Sequence, residues 1–259
     1  MVGLVIVSHS AGLADGVVEL AREMGGGRVA IEAAGGMAEP EGAIGTDVEL
    51  VHAAIGRAAG PDGVLVLMDL GSAVMSAEMA AEMVAAERDD VRVLLCEAPL
   101  VEGAVAAAAR AGAGAPLDEV AAEARSALRM KAAQLGVEEG LPAPAAQSAP
   151  AGAGGHETVL QVAIPLGLHA RPAARFVETV ADFDAQVSVV DETTGRGPAD
   201  GRSLTGLVML GVRQGHVLRV RADGPDAEAT LGALRLLAEE GFGDEPDGAG
   251  ASRAAPAPA

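Results

Sequence analysis

Four near-continuous apolar runs punctuate the first half of the chain: Val2 to Val7, Val29 to Ala34, Gly63 to Met68 and Val91 to Cys96. Stretches with helical spacing of apolar positions follow them in turn, at Gly12 to Met24, Thr46 to Ala59, Val74 to Ala86 and Val101 to Ala111, and a last helix is expected from Leu117 to Gln134. Short strands apolar on both faces, alternating with amphipathic helices, predict a doubly wound α/β domain with a parallel sheet covered on both sides. The pattern stops near residue 135. Gly136 to Gly155 has no periodicity and is rich in Ala, Pro and Gly, so residues 136–156 read as a semi-flexible linker. As a coil it would span roughly 25 Å. From Glu157 a different pattern begins, alternating to Pro165, helical through Ala173, Val177 and Val180, then strands at Gln186 to Val190 and toward Ala199, a helix from Ser203, a strand from His216 to Ala222 and a helix from Asp226 to Glu240. That order, β-α-β-β-α-β-α, predicts an α+β open-faced sandwich over residues 157–241, with a disordered tail at 242–259.

Polar residues that interrupt these patterns mark the candidate chemistry. In a doubly wound sheet the site lies at the carboxyl ends of the strands that flank the switch point, here the first and third. Those ends carry Ser8-His9-Ser10 and Asp69-Leu70-Gly71-Ser72. An Asp69 that accepts a hydrogen bond from one His9 nitrogen would fix the tautomer and leave the other nitrogen as nucleophile. Ser10, Thr46 and Ser72 precede or open helices, where their hydroxyls and nearby N–H groups suit phosphoryl oxygens. In the second domain His169 falls at a helix start, where unpaired N–H groups and the helix dipole favour an anion. Pro172 fits the first turn, and Arg171 adds a second cation beside the same spot. His52 reads as a surface residue, His156 as the end of the linker, and His216 as structural.

Composition narrows the function. The net charge of −19 argues against nucleic acid as a partner, though not against a covalent phosphate held by local donors. The excess of acids is concentrated in residues 1–135. One cysteine, Cys96, at the end of an apolar run, reads as a small buried hydrophobe and fits a reducing cytoplasm. No run of 18 apolar residues predicts a membrane span, and Met1 to Ser8 reads as a strand and not as a signal peptide. The glycine pairs make neither a dinucleotide fingerprint nor a Walker motif, so no nucleotide cofactor is expected, and no metal.

Two resemblances sharpen this reading. Residues 157 to about 241 resemble the phosphocarrier protein HPr of the phosphoenolpyruvate-dependent phosphotransferase system, through Gly167-Leu168-His169-Ala170-Arg171-Pro172-Ala173 and Arg202-Ser203-Leu204-Thr205-Gly206-Leu207 followed by Leu210-Gly211. The resemblance implies that His169 is phosphorylated through Nδ1, that Arg171 steadies the phosphate, and that Leu204, Thr205 and Val208 belong to an exposed apolar docking surface. Ser203 reads first as a helix N-cap; the resemblance adds a regulatory reading. Residues 1 to about 135 resemble the phosphotransferase subunit of phosphoenolpyruvate-dependent dihydroxyacetone kinase, a relative of the mannose-family enzyme IIA domains. The motifs are Val5-Ile6-Val7-Ser8-His9-Ser10, Ala34-Gly35-Gly36, Ile44-Gly45-Thr46, Asp69-Leu70-Gly71-Ser72-Ala73 with Glu78, and Pro99-Leu100-Val101-Glu102-Gly103-Ala104. This resemblance implies phosphorylation of His9 through Nε2, orientation by Asp69, and a homodimer. Asp47 departs from the pattern, adding negative charge beside Thr46.

Together these features predict a cytoplasmic phosphoryl relay. Enzyme I would charge His169, His169 would charge His9, and His9 would rephosphorylate ADP on a separate kinase subunit. The tether would hold the two histidines at roughly millimolar effective concentration. Enzyme I is expected to act in trans, since its larger fold has no room in 259 residues. Two rivals are a IIA component serving a sugar permease and a phosphorylation sensor with no onward transfer.

Overall fold

The structure, a computed structural model, describes residues 1–135 and 155–243. Most of the expected linker and nearly all of the expected disordered tail lie outside these residues. The first unit runs β1 (Gly3–Ser8), α1 (Ala11–Met24), β2 (Ile31–Gly35), α2 (Val48–Ala58), β3 (Val64–Met68), α3 (Ser72–Glu87), β4 (Val93–Cys96), α4 (Leu100–Gly112), α5 (Leu117–Ser126) and α6 (Leu128–Leu135). Its sheet is parallel throughout, in the order β2-β1-β3-β4. Strand alternation explains why the apolar runs are unbroken. Leu4 and Ile6 of β1, with Leu65 and Leu67 of β3, face α1, α4 and α5. Val5 and Val7, with Val64 and Val66, face α2 and α3. Each strand thus buries both faces, which requires apolar residues at successive positions.

The second unit runs β5 (His156–Gln161), α7 (Ala170–Ala181), β6 (Gln186–Asp191), β7 (Arg196–Asp200), α8 (Leu204–Met209), β8 (Val217–Asp223) and α9 (Ala227–Glu239), closing on a single 3₁₀ turn at Gly241–Gly243. The sheet is antiparallel in the order β5-β8-β6-β7. Here one face only is buried. Val187, Val189, Leu218 and Val220 pack on Phe176, Val177, Leu207 and Leu231, while Val159 and Arg219 point outward.

Two expected boundaries shift for physical reasons. The single helix from Leu117 to Gln134 is two helices, broken at Ala127, whose N–H turns back to the Ala124 carbonyl. The helix expected from Thr46 begins at Val48, because Asp47 is its N-cap and accepts from the N–H groups of Glu49 and Leu50. His156, placed in the linker by its sequence, opens β5.

The two units are in contact. Val105, Ala106 and Ala109 of α4 and Ala127 share a core with α7 and the second sheet, and α4 also packs Ala104, Ala107, Ala108 and Ala111 on the first sheet. A helix apolar around its circumference is buried on both sides, and α4 is covered in that way.

Candidate functional site

Strand β1 ends in Ser8 and the loop before α1 carries His9; strand β3 ends at Met68 and hands on to Asp69. Because β1 and β3 are neighbours, Asp69 meets His9 directly. The His9 Nδ1 lies 2.9 Å from Asp69 Oδ1. The His9 backbone N–H and the Ser8 hydroxyl both donate to Asp69 Oδ2, at 2.8 and 2.9 Å. The Leu70 N–H donates to Oδ1 at 2.7 Å. Burial alone would raise the Asp69 pKa, but the donors from His9, Leu70 and Ser8 outweigh it and hold the carboxyl below its ordinary value. An ionised Asp69 accepts only, so His9 Nδ1 carries the proton and Nε2 keeps its lone pair.

The other side of the ring meets a row of hydroxyls. Ser76 donates to Thr46 at 3.0 Å, Thr46 donates to Ser72 at 3.1 Å, and Ser72 Oγ lies 2.8 Å from His9 Nε2. The first two bonds leave the Ser72 proton for Nε2, so the row runs one way and agrees with the tautomer set by Asp69. Thr46 arrives from the loop before α2, Ser72 and Ser76 from one face of α3. Ser10 caps α1 by accepting from the Leu13 N–H at 3.3 Å and does not touch the ring. Close packing pins the loop: a Cβ on Gly35 would lie 2.7 Å from the Ser10 carbonyl oxygen. Around the imidazole the surface is apolar, with Ile44 75%, Leu70 71% and Met75 63% exposed. An exposed apolar rim about a reactive nitrogen suits a transient protein partner.

His169 is the N-cap of α7, in extended backbone, and the Ala173 N–H closes the first turn on its carbonyl. The preceding Gly167 has φ +70°, and a Cβ there would meet the Val212 carbonyl oxygen at 2.1 Å, so the turn that presents His169 requires glycine. Pro172 is buried in the first turn. His169 lines an open cavity of about 560 Å³ together with Arg196, Arg213 and His216. The His216 Nδ1 is 2.9 Å from Asp191 Oδ2, and Asp191 also accepts from the Thr194 hydroxyl and the Thr193 N–H. Burial works against the Asp191 charge; these bonds overcome it and lower its pKa.

The remaining residues singled out in the sequence fall partly as read and partly otherwise. Arg171 is paired with Glu23 at the end of α1, at 3.3 Å. Leu204, Thr205 and Val208 are buried, not exposed, and α8, which carries them, packs against α4, α5 and α6 of the first unit as well as against its own unit. Ser203 does cap α8, accepting from the Gly206 N–H, and its hydroxyl also donates to the buried carboxylate of Glu123, 2.9 Å away. Asp47 spends its charge on the α2 cap. His52 lies 3.0 Å from the Glu87 carboxylate, and Cys96 is buried, where burial raises its thiol pKa. Sequence reading named Ser8 at the strand end without giving it a role, and missed Ser76 and Glu123. Ser76, one helical turn after Ser72, had a usable signal in its i,i+4 spacing. No described helix is long and apolar enough to cross a membrane.

A parallel α/β unit with an Asp-held histidine at its switch point, followed by a sandwich with a histidine capping its first helix, defines a fusion of two phosphotransferase-type domains. Comparison with known families agrees: residues 3–121 match EIIA-man, the PTS system fructose IIA component, and residues 156–240 match PTS-HPr, the PTS HPr component phosphorylation site. These matches, with the relatives below, support a DhaM-like fusion of a IIA domain and an HPr domain. It is 42% identical over 251 residues to the phosphoryl donor subunit DhaM of PEP-dependent dihydroxyacetone kinase from Escherichia coli strain K12, covering 94% of this chain and 51% of that protein. The DhaM of Klebsiella michiganensis is 42% identical over 264 residues, covering 99% and 54%. A multiphosphoryl transfer protein of Salmonella typhimurium strain LT2 is 44% identical over 79 residues, covering 30% and 21%. The chain spans about half the length of the DhaM relatives it matches.

Proposed function

We propose that the chain is a phosphoryl relay feeding a dihydroxyacetone kinase. Phospho-enzyme I charges His169 on Nδ1, His169 passes the group to His9 Nε2, and His9 returns it to ADP held on the ADP-binding subunit of the kinase. The observation that carries this reading is the His9 constellation. Its Nδ1 proton is tied to Asp69, and its Nε2 lone pair faces the Ser72 hydroxyl at an exposed position. In the transfer, the bond from phosphorus to His169 Nδ1 breaks as the bond to His9 Nε2 forms, and no proton need leave the His9 ring. The imidazolium that results keeps its Nδ1 proton, donated in a hydrogen bond to the Asp69 carboxylate. The Ser72 and Thr46 hydroxyls then turn to the phosphoryl oxygens. The names of the DhaM relatives support the kinase as acceptor. A cytoplasmic homodimer through the IIA-like domain completes the reading, with β4 offering an unpaired sheet edge among the described residues.

Intact mass with phosphoenolpyruvate and enzyme I at mildly alkaline pH tests the order. Two phosphates on wild type, one on His9→Ala and none on His169→Ala are expected. A His169→Ala protein that still charges His9 from enzyme I alone would overturn it. Transfer to a sugar-transport IIB partner, with none to an ADP-loaded kinase subunit, would replace the acceptor.

A further inference from the structure

The contact between the two units falls on the face that carries Ser203 and Thr205. Glu123, from α5 of the IIA-like unit, is 1% exposed. Its carboxylate accepts the Ser203 hydroxyl at 2.9 Å from both oxygens and the Thr205 N–H at 2.7 Å. Arg110 spans the same seam, 2.6 Å from Glu119 of its own unit and 3.1 Å from Asp200 of the other. Burial opposes the charge of Arg110, but the surrounding carboxylates of Asp200, Glu119 and Glu123 more than offset it. Arg28 reaches Asp182 at 2.9 Å, and Arg171 reaches Glu23. The second apolar face of α4 lies beneath.

In this arrangement the two histidines lie by opposite ends of α1. His9 precedes the first turn of α1, while Arg171, two residues from His169, is tied to the last turn of the same helix. Fourteen residues of helix rise roughly 20 Å. A buried carboxylate needs its donors, so Glu123 holds the units together only while Ser203 and Thr205 serve it.

We infer that the Ser203 face of the HPr-like unit has the IIA-like unit of its own chain as its resting partner, latched by Glu123, and that this face must be released before His169 meets either a phosphoryl donor or His9. The latch rests on contacts alone; the release before charging rests on the relay reading. The closed state also shields Ser203 from any modifying enzyme. Small-angle scattering of the full chain tests the latch. Wild type should scatter as one compact body; Glu123→Lys and Ser203→Asp should each enlarge the radius of gyration, and the two together should restore it by rebuilding the pair with the charges exchanged. Charging by enzyme I should be severalfold faster in Glu123→Lys than in wild type. Should Glu123→Lys fail to fold, Ser203→Asp carries the scattering test from the other side. A wild type that scatters as two separate bodies, or single variants as compact as wild type, would overturn the latch. An unchanged charging rate in an opened Glu123→Lys would overturn the competition. Absence of phosphate from His169 in every variant would instead sink the relay reading and leave the latch standing.

A second observation stands apart from the first. Among the described arginines, Arg196 and Arg213 are the two whose guanidinium groups make no hydrogen bond or ion pair, and both line the cavity of His169. In a chain with a net charge of −19, unpaired arginines cost electrostatic opportunity, and here they share one cavity with two imidazoles. The geometry points to a phosphate-type anion seated by Arg196, Arg213 and His216, which would hold a phosphoryl group on His169 while Arg171 is engaged by Glu23. Inorganic phosphate should shift the ring NMR signals of His169 and His216 in wild type and in Arg196→Lys/Arg213→Lys. In Arg196→Gln/Arg213→Gln the shift should vanish, and phospho-His169 should hydrolyse severalfold faster. A phosphate shift of equal size in the Gln double variant would overturn this assignment.

Discussion

At Asp69 one side chain performs three tasks: it caps the His9 loop, binds the Ser8 hydroxyl and sets the His9 tautomer. Asp69→Asn would turn an NH₂ toward donors whichever way the amide lies, since both oxygens already accept two bonds. The expected cost is about 1–3 kcal/mol of stability, read by denaturant melts. Phosphorylation of His9 should slow on the order of 10²–10⁴-fold, since a carboxylate that fixes an imidazole tautomer has that weight elsewhere. Ser72→Ala should fold normally and slow the same step about tenfold, losing one hydrogen bond to the phosphoryl group. The pH dependence follows from the lowered pKa of Asp69 and of Asp191. Each is depressed on folding, so its stabilisation is complete above the ordinary carboxylate value of 3.8 and is lost as pH falls through the lower folded value. Acid titration followed by circular dichroism should show Asp69→Asn flatter than wild type below about pH 4. The pairing of His9 with Asp69 was legible because two strand ends at a switch point must converge. The direction of the hydroxyl row was not, since it depends on which oxygen each rotor meets across a loop.

At the level of elements, caps and turns carry the testable weight. Asp47→Ala should cost about 1 kcal/mol by removing the α2 cap, lowering the melting temperature by about 2–4 °C. The charge of Asp47, out of pattern when read along the chain, is explained by the two N–H groups it serves. Gly167→Ala should cost about 2 kcal/mol or more and weaken charging at His169, because the residue is left-handed and faces a backbone oxygen. Strand positions and most helices were legible from periodicity, since burial on both faces or on one writes itself into the spacing of apolar residues. The break at Ala127 was not legible. No Pro or Gly marks it, and the residue turns because it packs, fully buried, into a core shared with the other unit.

For the molecule as a whole, the contact between units combines an apolar seam with ion pairs of unequal exposure. Arg171 and Glu23 are about half exposed, whereas Arg110 is 14% exposed. Raising salt from about 0.05 to 0.5 M should therefore weaken the outer pairs and spare the Arg110 and Glu123 contacts, so scattering should show at most a small expansion in wild type and a larger one in Arg110→Gln. The seam had one signal in the sequence, the run Ala104 to Ala109, which leaves α4 without a polar face. Glu123 had none, because an acid on an amphipathic helix reads as solvated until a partner eighty residues away covers it.

In the proposed relay, the rim of Ile44, Leu70 and Met75 about His9 would be an encounter surface whose affinity comes from water set free. Such binding has little heat of its own near room temperature and a negative heat capacity change. A titration calorimeter should then see the heat of partner capture become more exothermic as temperature rises, and a partner held at His9 should dissociate more readily in the cold than in warmth.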